Sequence, residues 1–127
     1  MTAVPFRIES LPEVANWFVL RGLPELTSDF LSTVGYWVPG VAAGWLYTMN
    51  APGFAFLDNF ITNSAAPRAE RREALESIAR ALVRDADAAG CKKILALTQT
   101  TSIAELAGRL GFHLLQYDCC LFARVVT

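Results

Sequence analysis

The fold is decided by the stretch from Phe54 to Leu97, which reads FAFLDNFIT-NSAAP-RAERREALESIARALVRDADAAG-CKKILAL. Aromatic and branched side chains predict a strand over Phe54–Thr62. After a break at residues 63–67, apolar side chains recur at helical spacing and predict a long helix that ends at Gly90. A short apolar run, Ile94–Leu97, predicts the next strand. The three elements therefore predict a right-handed strand–helix–strand crossover.

The strand Phe54–Thr62 is predicted to be covered on both sides. Because side chains alternate along a strand, they divide into two faces. One face would carry Phe54, Phe56, Asp58, Phe60 and Thr62, and the other Ala55, Leu57, Asn59 and Ile61. Both faces are largely apolar, which is typical of a central strand.

The remaining elements extend this unit into one domain. The predicted elements on either side are a strand Phe6–Glu9, a helix from Pro12, a short helix from Thr27 or Ser28 to Leu31, strands Tyr36–Val38 and Val41–Met49, a helix capped by Ser102, and strands Phe112–Leu115 and Cys119–Val126. The order predicts an α/β (α+β) fold over residues 1–127. Its central sheet would be mixed, mainly antiparallel, of about six or seven strands, with helices on both faces.

Composition narrows the function classes. The net charge of −1 argues against binding of duplex nucleic acid. No apolar run approaches the ~20 residues that span a bilayer, and the first residues do not resemble a signal peptide, so we expect a cytoplasmic protein without a membrane partner. Three cysteines without a CxxC motif and a single histidine argue against a metal site. The 54% apolar content predicts a large core and allows a homodimer.

Three short motifs carry a resemblance. The segment Leu110-Gly111-Phe112 ends a helix that contains Ala104 and Leu106. The long helix ends at Gly90, about four residues before a buried strand. The segment Ala43-Gly44-Trp45-Leu46 places a glycine before an apolar pair. Their order and spacing resemble the GNAT superfamily of N-acetyltransferases over roughly Val41–Val126. The resemblance implies an enzyme that transfers an acyl group, in the first place acetyl, from acetyl-CoA to an amine.

The resemblance also implies where CoA would bind. Pantetheine would pair with the exposed backbone at the end of the central strand, at Phe60, Ile61, Thr62 and Asn63. The pyrophosphate would lie on backbone amides at the start of the long helix, within Pro67–Glu73. Unpaired amides and the helix dipole together favour an anion there. The arginines beside them are further candidates, because guanidinium groups bind phosphate oxygens well: Arg68, Arg71 and Arg72.

Two features of the family are missing. Counting back from Gly90, the Arg or Gln position of the phosphate loop falls near Glu70, and its two glycine positions fall near Glu73 and Leu75. An arginine-lined phosphate site competes with a solvated helix start of mixed charge. The tyrosine that protonates the departing thiolate is replaced by Ala107. Tyr117 is the substitute candidate for this acid. Thr100 stands where the family usually has asparagine and is a cofactor-side candidate.

Asp58 is the candidate general base. A carboxylate among aromatic residues is expected to have a raised pKa, which suits removal of a proton from an amine. Its alternative role is that of an aspartate bonded to a hydroxyl or a backbone amide. His113 is expected to be a surface group, and Tyr117 could also be a packing residue.

The alternative function is a catalytically degenerate module of the same fold that binds a protein or regulates one. Aromatic residues would supply its interface: Trp17, Trp37, Trp45 and the strand Phe54–Phe60. Nucleic-acid modification has only the arginines within Arg68–Arg84 in its favour. Binding of CoA distinguishes the enzyme from the module.

Overall fold

The computed structural model describes residues 1–50, 53–96, 101–115 and 124, which belong to two compact units, Met1–Leu97 and Thr98–Thr127. The first unit contains β1 Val4–Pro5, α1 Leu11–Leu20, β2 Val34–Val38, β3 Ala42–Thr48, β4 Phe54–Thr62, α2 Arg68–Ala88 and β5 Lys93–Ala96. Two 3₁₀ turns, Ile8–Ser10 and Ser28–Phe30, flank α1. The second unit contains α3, Thr101–Arg109.

The sheet of the first unit has the order β1-β2-β3-β4-β5. Its first four strands are antiparallel and β5 runs parallel to β4, so the mixed, mainly antiparallel sheet is confirmed. The described residues hold five strands, which is fewer than the six or seven predicted. The prediction of a strand at Phe112–Leu115 is wrong, because these residues have no regular structure. The predicted strand Cys119–Val126 lies outside the described residues except for Arg124.

The first strand lies earlier than predicted. Pairing is confined to Val4 and Pro5, which face Trp37 and Tyr36 of β2. Phe6 donates one more backbone hydrogen bond to Gly35 (2.9 Å), and the chain then turns. The Phe6 ring packs edge-on against the indoles of Trp37 and Trp45. The apolar pattern at Phe6–Glu9 therefore reflects packing of one aromatic ring on the sheet.

A β-bulge interrupts β4. Trp45 of β3 is opposite Asp58, but Ala43, two residues earlier in β3, is opposite Ile61. Two residues of β4, Asn59 and Phe60, therefore face the single residue Gly44. The extra residue shifts the alternation, so that Ile61 lies on the same face as Asp58 and Trp45. The predicted division of β4 into two unbroken faces is wrong beyond Asp58 for this reason.

The two faces of the sheet pack against different helices, as predicted. On one face α1 covers β3 and β4, in a cluster built from Val14, Trp17, Phe18, Leu26, Ala43, Trp45 and Ile61. On the other face lies α2, whose buried residues include Ala74, Ile78 and Leu82. Tyr36 of β2 donates a hydrogen bond to the Asp85 carboxylate of α2 (2.6 Å) on this side.

The tryptophans belong mainly to the core. Trp45 is fully buried and Trp17 is 4% exposed, so neither is available to a partner. A Cβ at Gly35 would overlap the indole of Trp45, which explains the glycine opposite it in β2. The predicted aromatic interface is therefore wrong for Trp17 and Trp45.

The three helices end in the same way. Each has a glycine with positive φ just beyond its last turn, and the next residue donates a backbone hydrogen bond back into the helix. In α2 the Cys91 amide binds the Ala86 carbonyl, and in α3 the Phe112 amide binds the Ala107 carbonyl. This Schellman geometry requires a left-handed residue, which glycine adopts without strain. The helix ends predicted at Gly90 and Gly111 are confirmed.

Candidate functional site

The end of the central strand turns part of its backbone away from β3. β4 pairs with β5 from Phe54 to Leu57, opposite Lys93 to Ala96, the last residues of β5 that the structure describes. The Asn63 amide donates to the Val41 carbonyl oxygen on the β3 side (2.8 Å), so by alternation the backbone groups of Thr62 point away from β3.

An arginine just beyond α1 reaches the end of β4. Arg21 follows the last residue of the helix, and its Nε donates to the Thr62 carbonyl oxygen (3.2 Å) while its Nη2 donates to Thr62 Oγ1 (2.5 Å). The side chain is exposed. Sequence reasoning did not identify Arg21, because a contact across 41 residues leaves no local pattern.

The bulge has an unusual backbone conformation. Asn59 has φ of 58°, and within the described part of the chain it is the one non-glycine residue with a positive φ. Asparagine tolerates this region better than most residues. The Asn59 amide donates to Asp58 Oδ1 (2.7 Å), and its side-chain Nδ2 donates to the Tyr47 hydroxyl (2.6 Å). Both contacts hold the bulge in place.

Asp58 lies at the mouth of this bulge with an exposed side chain. The apolar enclosure predicted for it is wrong, because the bulge turns the strand just beyond it and leaves the carboxylate facing solvent. Its alternative role, a bond to a backbone amide, is present in the contact with Asn59.

Tyr47 connects the bulge to the loop after α1. Its hydroxyl donates to the Phe30 carbonyl oxygen (2.9 Å) and accepts the hydrogen bond from Asn59. Burial of the ring raises the pKa of Tyr47 above its ordinary value, so the hydroxyl keeps its proton at neutral pH. Sequence reasoning missed this residue. The signal that could have found it is its position in β3, two residues beyond Trp45, on the face that also carries Asp58.

The loop from β4 to α2 is built around Asn63. Its side-chain Nδ2 donates to the Gly40 carbonyl (2.9 Å), and its Oδ1 accepts from the Ala65 amide (3.0 Å). Of the other predicted residues, Ile61 is buried in the core and the Phe60 ring lies against Gly44. The Asn63 amide and Ile61 are engaged on the β3 side, and the side chains of these three residues shape the strand and the loop.

The first turns of α2 place the three candidate arginines differently. Pro67 caps the helix without a side-chain hydrogen bond to the first amides. Arg68 and Arg72 are exposed, whereas Arg71 is half-buried and stands three and seven residues before buried Ala74 and Ile78, on the sheet-facing stripe. Arg71 Nε is, among the described side chains, the one buried nitrogen or oxygen without a hydrogen-bond partner.

The acidic residues of this turn lie elsewhere on the helix. At 3.6 residues per turn, Glu70 and Glu73 are rotated from Arg71 by about 100° and about 200°. Both are exposed, and Glu73 is 3.4 Å from the Met1 amino group. Arg71 therefore faces the sheet on a different side of the helix from both glutamates.

Some of the predicted site lies beyond the described residues. Thr100 and Tyr117 belong to that part of the chain, so their assignments stay predictions. Ala107 lies in α3, and His113 is exposed just after that helix. In residues 1–50, 53–96, 101–115 and 124, no three His, Cys, Asp or Glu side chains form a group that could hold a metal ion.

Comparisons with known proteins were made at three levels. No protein-family model and no curated protein matches the sequence. Solved structures do match: a protein from Agrobacterium tumefaciens named as an acetyltransferase has a TM-score of 0.69 at 19% identity, covering 98% of this chain and 100% of its own. A GNAT-family acetyltransferase from Streptococcus pneumoniae has a TM-score of 0.57 at 17% identity, covering 98% and 95%. The fold is GNAT-like.

A third similar structure contains a ligand. A protein from Mycobacterium tuberculosis, solved in complex with CoA, has a TM-score of 0.68 at 14% identity, covering 91% of this chain and 74% of its own. At these identities the likeness establishes the GNAT-like fold, and activity has to be argued from local chemistry. Within the described residues, no helix is both long and apolar enough to cross a bilayer.

Proposed function

We propose that this chain is an acyltransferase that moves an acyl group, in the first place acetyl, from a CoA thioester to an amine. The observation that carries the proposal is the bulge of β4 at Asn59 and Phe60, followed by a strand end whose Thr62 backbone points away from β3. This strand end leads into the N-terminus of α2, which has no side-chain cap. The GNAT-like fold and the CoA complex of a similar protein support it.

The groups at this strand end suit the polar parts of CoA. Phe60 and Thr62 offer backbone donors and acceptors to the amides of pantetheine. The first amides of α2 lack a side-chain cap and carry the positive end of the helix dipole, which favours a pyrophosphate. Arg71 adds a guanidinium on the sheet-facing side. Arg21 would have to release the Thr62 carbonyl if a pantetheine amide binds there.

The chemistry requires one bond to form and one to break. The amine nitrogen attacks the thioester carbonyl carbon, the C–N bond forms, and the C–S bond breaks with its electrons leaving on sulfur. Asp58 takes a proton from the acceptor ammonium to give the neutral amine that attacks, and the tetrahedral adduct loses a second N–H proton to solvent. Solvent or an acid outside the described residues, for which Tyr117 is the candidate, returns one proton to the thiolate. Backbone donors at the bulge stabilise the developing oxyanion, and binding supplies proximity.

Release of free thiol from acetyl-CoA in the presence of amines tests this function. The native chain is expected to release thiol only when an amine is added. In Asp58→Asn turnover should fall by about a hundredfold or more, the scale of general-base catalysis, with little change in CoA affinity. Asp87→Asn removes an exposed carboxylate of α2 and should leave turnover unchanged. Equal turnover in Asp58→Asn and Asp87→Asn would remove Asp58 as the base.

The second candidate is a protein-binding or regulatory module of the same fold. Exposed apolar side chains at the end of α1 and just beyond it favour this function: Val19, Leu20 and Leu23 are 51%, 64% and 47% exposed. A homodimer that uses this surface is part of the same hypothesis. The two functions differ in their need for CoA. The module binds its partner without CoA, whereas the enzyme requires it.

A further inference from the structure

The end of α1 is held against the end of β4. Phe18 of α1 packs in one buried cluster with Ile61 of β4. The helix stops just beyond it, where the Leu23 amide donates a hydrogen bond to the Phe18 carbonyl oxygen (3.0 Å). Arg21 lies between Phe18 and Leu23 in the chain, so its backbone is fixed beside the strand end. Its side chain reaches the next residue of β4, Thr62, without any change in the helix.

The Arg21 guanidinium binds two oxygens of that one residue. Nε donates to the Thr62 carbonyl oxygen (3.2 Å), and Nη2 donates to Thr62 Oγ1 (2.5 Å). Thr62 is opposite Ala42 of β3, and the hydrogen bond from the Asn63 amide to the Val41 carbonyl turns the Thr62 carbonyl away from β3. The oxygen that Arg21 binds is therefore the one that a ligand would use if it paired with β4 on the side away from β3.

This contact is strong enough to form and weak enough to open. Both hydrogen bonds are exposed to solvent, as is the Arg21 side chain. Contacts of exposed charged side chains contribute little free energy, because water competes for the donors and a long side chain loses rotamer freedom. Opening of the contact requires only rotation of the Arg21 side chain, while α1 and β4 keep their packing.

We propose that Arg21 is a reversible cap on the end of β4, which competes with the pantetheine amides of CoA for the Thr62 carbonyl and so lowers the affinity of the chain for CoA. The inference rests on the proposed function, since it concerns the regulation of the same cofactor site. Only molecules with an open cap can pair with pantetheine, so the apparent affinity is reduced by the fraction that is open. An exposed charged contact corresponds to an open fraction of about a fifth to a third.

Two variants weaken the cap while they keep its charge or its shape. Arg21→Lys keeps the positive charge and loses the fork that binds both oxygens, and Thr62→Val keeps the branched side chain and loses Oγ1. Calorimetric titration with acetyl-CoA should give each variant a Kd about two- to fivefold lower than that of the native chain. The double variant should also stop at about fivefold, because both changes break one contact. Arg80→Lys and Thr48→Val, at exposed positions, are the matched controls and should bind as the native chain does.

The nucleotide part of CoA, without pantetheine, separates the cap from a general change in the site. Its affinity should be the same in Arg21→Lys and in the native chain, because it does not pair with the Thr62 carbonyl. Equal gains for both ligands, or an acetyl-CoA affinity that stays the same or falls in Arg21→Lys, would show that the inference is wrong while the proposed function stands. Absence of acetyl-CoA binding in the native chain and in both single variants would contradict the proposed function itself.

Discussion

Arg71 is the residue whose position favours function over stability. Its Nε is buried without a hydrogen-bond partner, and the side chain occupies a sheet-facing position that an apolar residue would fill at lower cost. Burial of an unsatisfied polar group costs about 1–3 kcal/mol. A phosphate group near the exposed part of the guanidinium would explain why arginine is present there.

We therefore expect Arg71→Met to change stability and affinity in opposite directions. The free energy of unfolding should stay the same or rise by about 1 kcal/mol, since the aliphatic stem is kept and the buried nitrogen is lost. CoA affinity should fall, as measured by calorimetry. Arg80→Met, on an exposed position of the same helix that pairs with Glu76, is the control and should leave affinity unchanged. A variant that loses stability and binds CoA normally would show that Arg71 is only structural.

Tyr47 gives a prediction for alkaline pH. Burial raises its pKa in the folded protein, so the unfolded chain ionises first as pH rises past about 10. The contribution of Tyr47 to stability is therefore complete below that pH and is lost as pH rises through the folded-state pKa.

Melting temperatures recorded from about pH 8 to about pH 11 should fall less steeply in Tyr47→Phe than in the native chain. Tyr36, whose pKa is raised mainly by its hydrogen bond to Asp85, is present in both proteins and serves as an internal reference. Parallel pH curves for the two proteins would contradict the predicted role of Tyr47.

Among the elements, β4 combines a regular first half with a bulged second half. Its bounds, Phe54–Thr62, were predicted correctly because aromatic and branched residues fill it from end to end. The bulge was not predicted, because both faces of this strand are largely apolar. One inserted residue moves side chains from one face to the other without changing that apolar pattern. Asn59 in the middle of the strand was a weak indication of a left-handed residue. The register is visible only once Gly44 and the Phe60 ring are seen in contact.

The bulge predicts a strong effect of Gly44→Ala. A Cβ on Gly44 would lie 2.7 and 2.8 Å from two atoms of the Phe60 ring, so the ring or the strand has to move. We expect a loss of about 1–3 kcal/mol in the free energy of unfolding, the usual cost of overpacking, together with weaker CoA binding. Gly108→Ala in α3 is the matched control, since nothing lies within 4 Å of its added Cβ and alanine favours a helix. Similar stability changes in the two variants would be evidence against this packing of β4.

At the scale of the whole molecule, the sequence was enough to predict the order of the elements, but it predicted only part of the candidate site. Alternation of strands and helices gave the mixed sheet, and Gly90 and Gly111 marked two helix ends because each needs a left-handed residue there. Phe60–Asn63 and the arginines of α2 were found because they are close in sequence. Arg21, Tyr47 and Phe30 were missed because they reach the bulge and the strand end from elements far away in the chain.

The single-domain organisation over residues 1–127 and the homodimer stay predictions. The fold is shared with acetyltransferases at identities of 19% and 17%, a range in which a scaffold can persist after its chemistry has changed. The missing glycines near Glu73 and Leu75 and the alanine at position 107 are local departures from the family pattern, and the bulge of β4 is present beside them.

Calorimetric titration of the full chain with acetyl-CoA tests the central claim most directly, because every step of the proposed reaction requires the thioester to bind at the end of β4. The account predicts micromolar affinity that weakens by at least about tenfold when Arg71 and Arg72 are both replaced by alanine, the loss of about one charge-assisted contact. The Arg80→Ala protein should bind as the native chain does. Absence of heat and of any thermal shift at millimolar CoA would contradict the account and favour the protein-binding module.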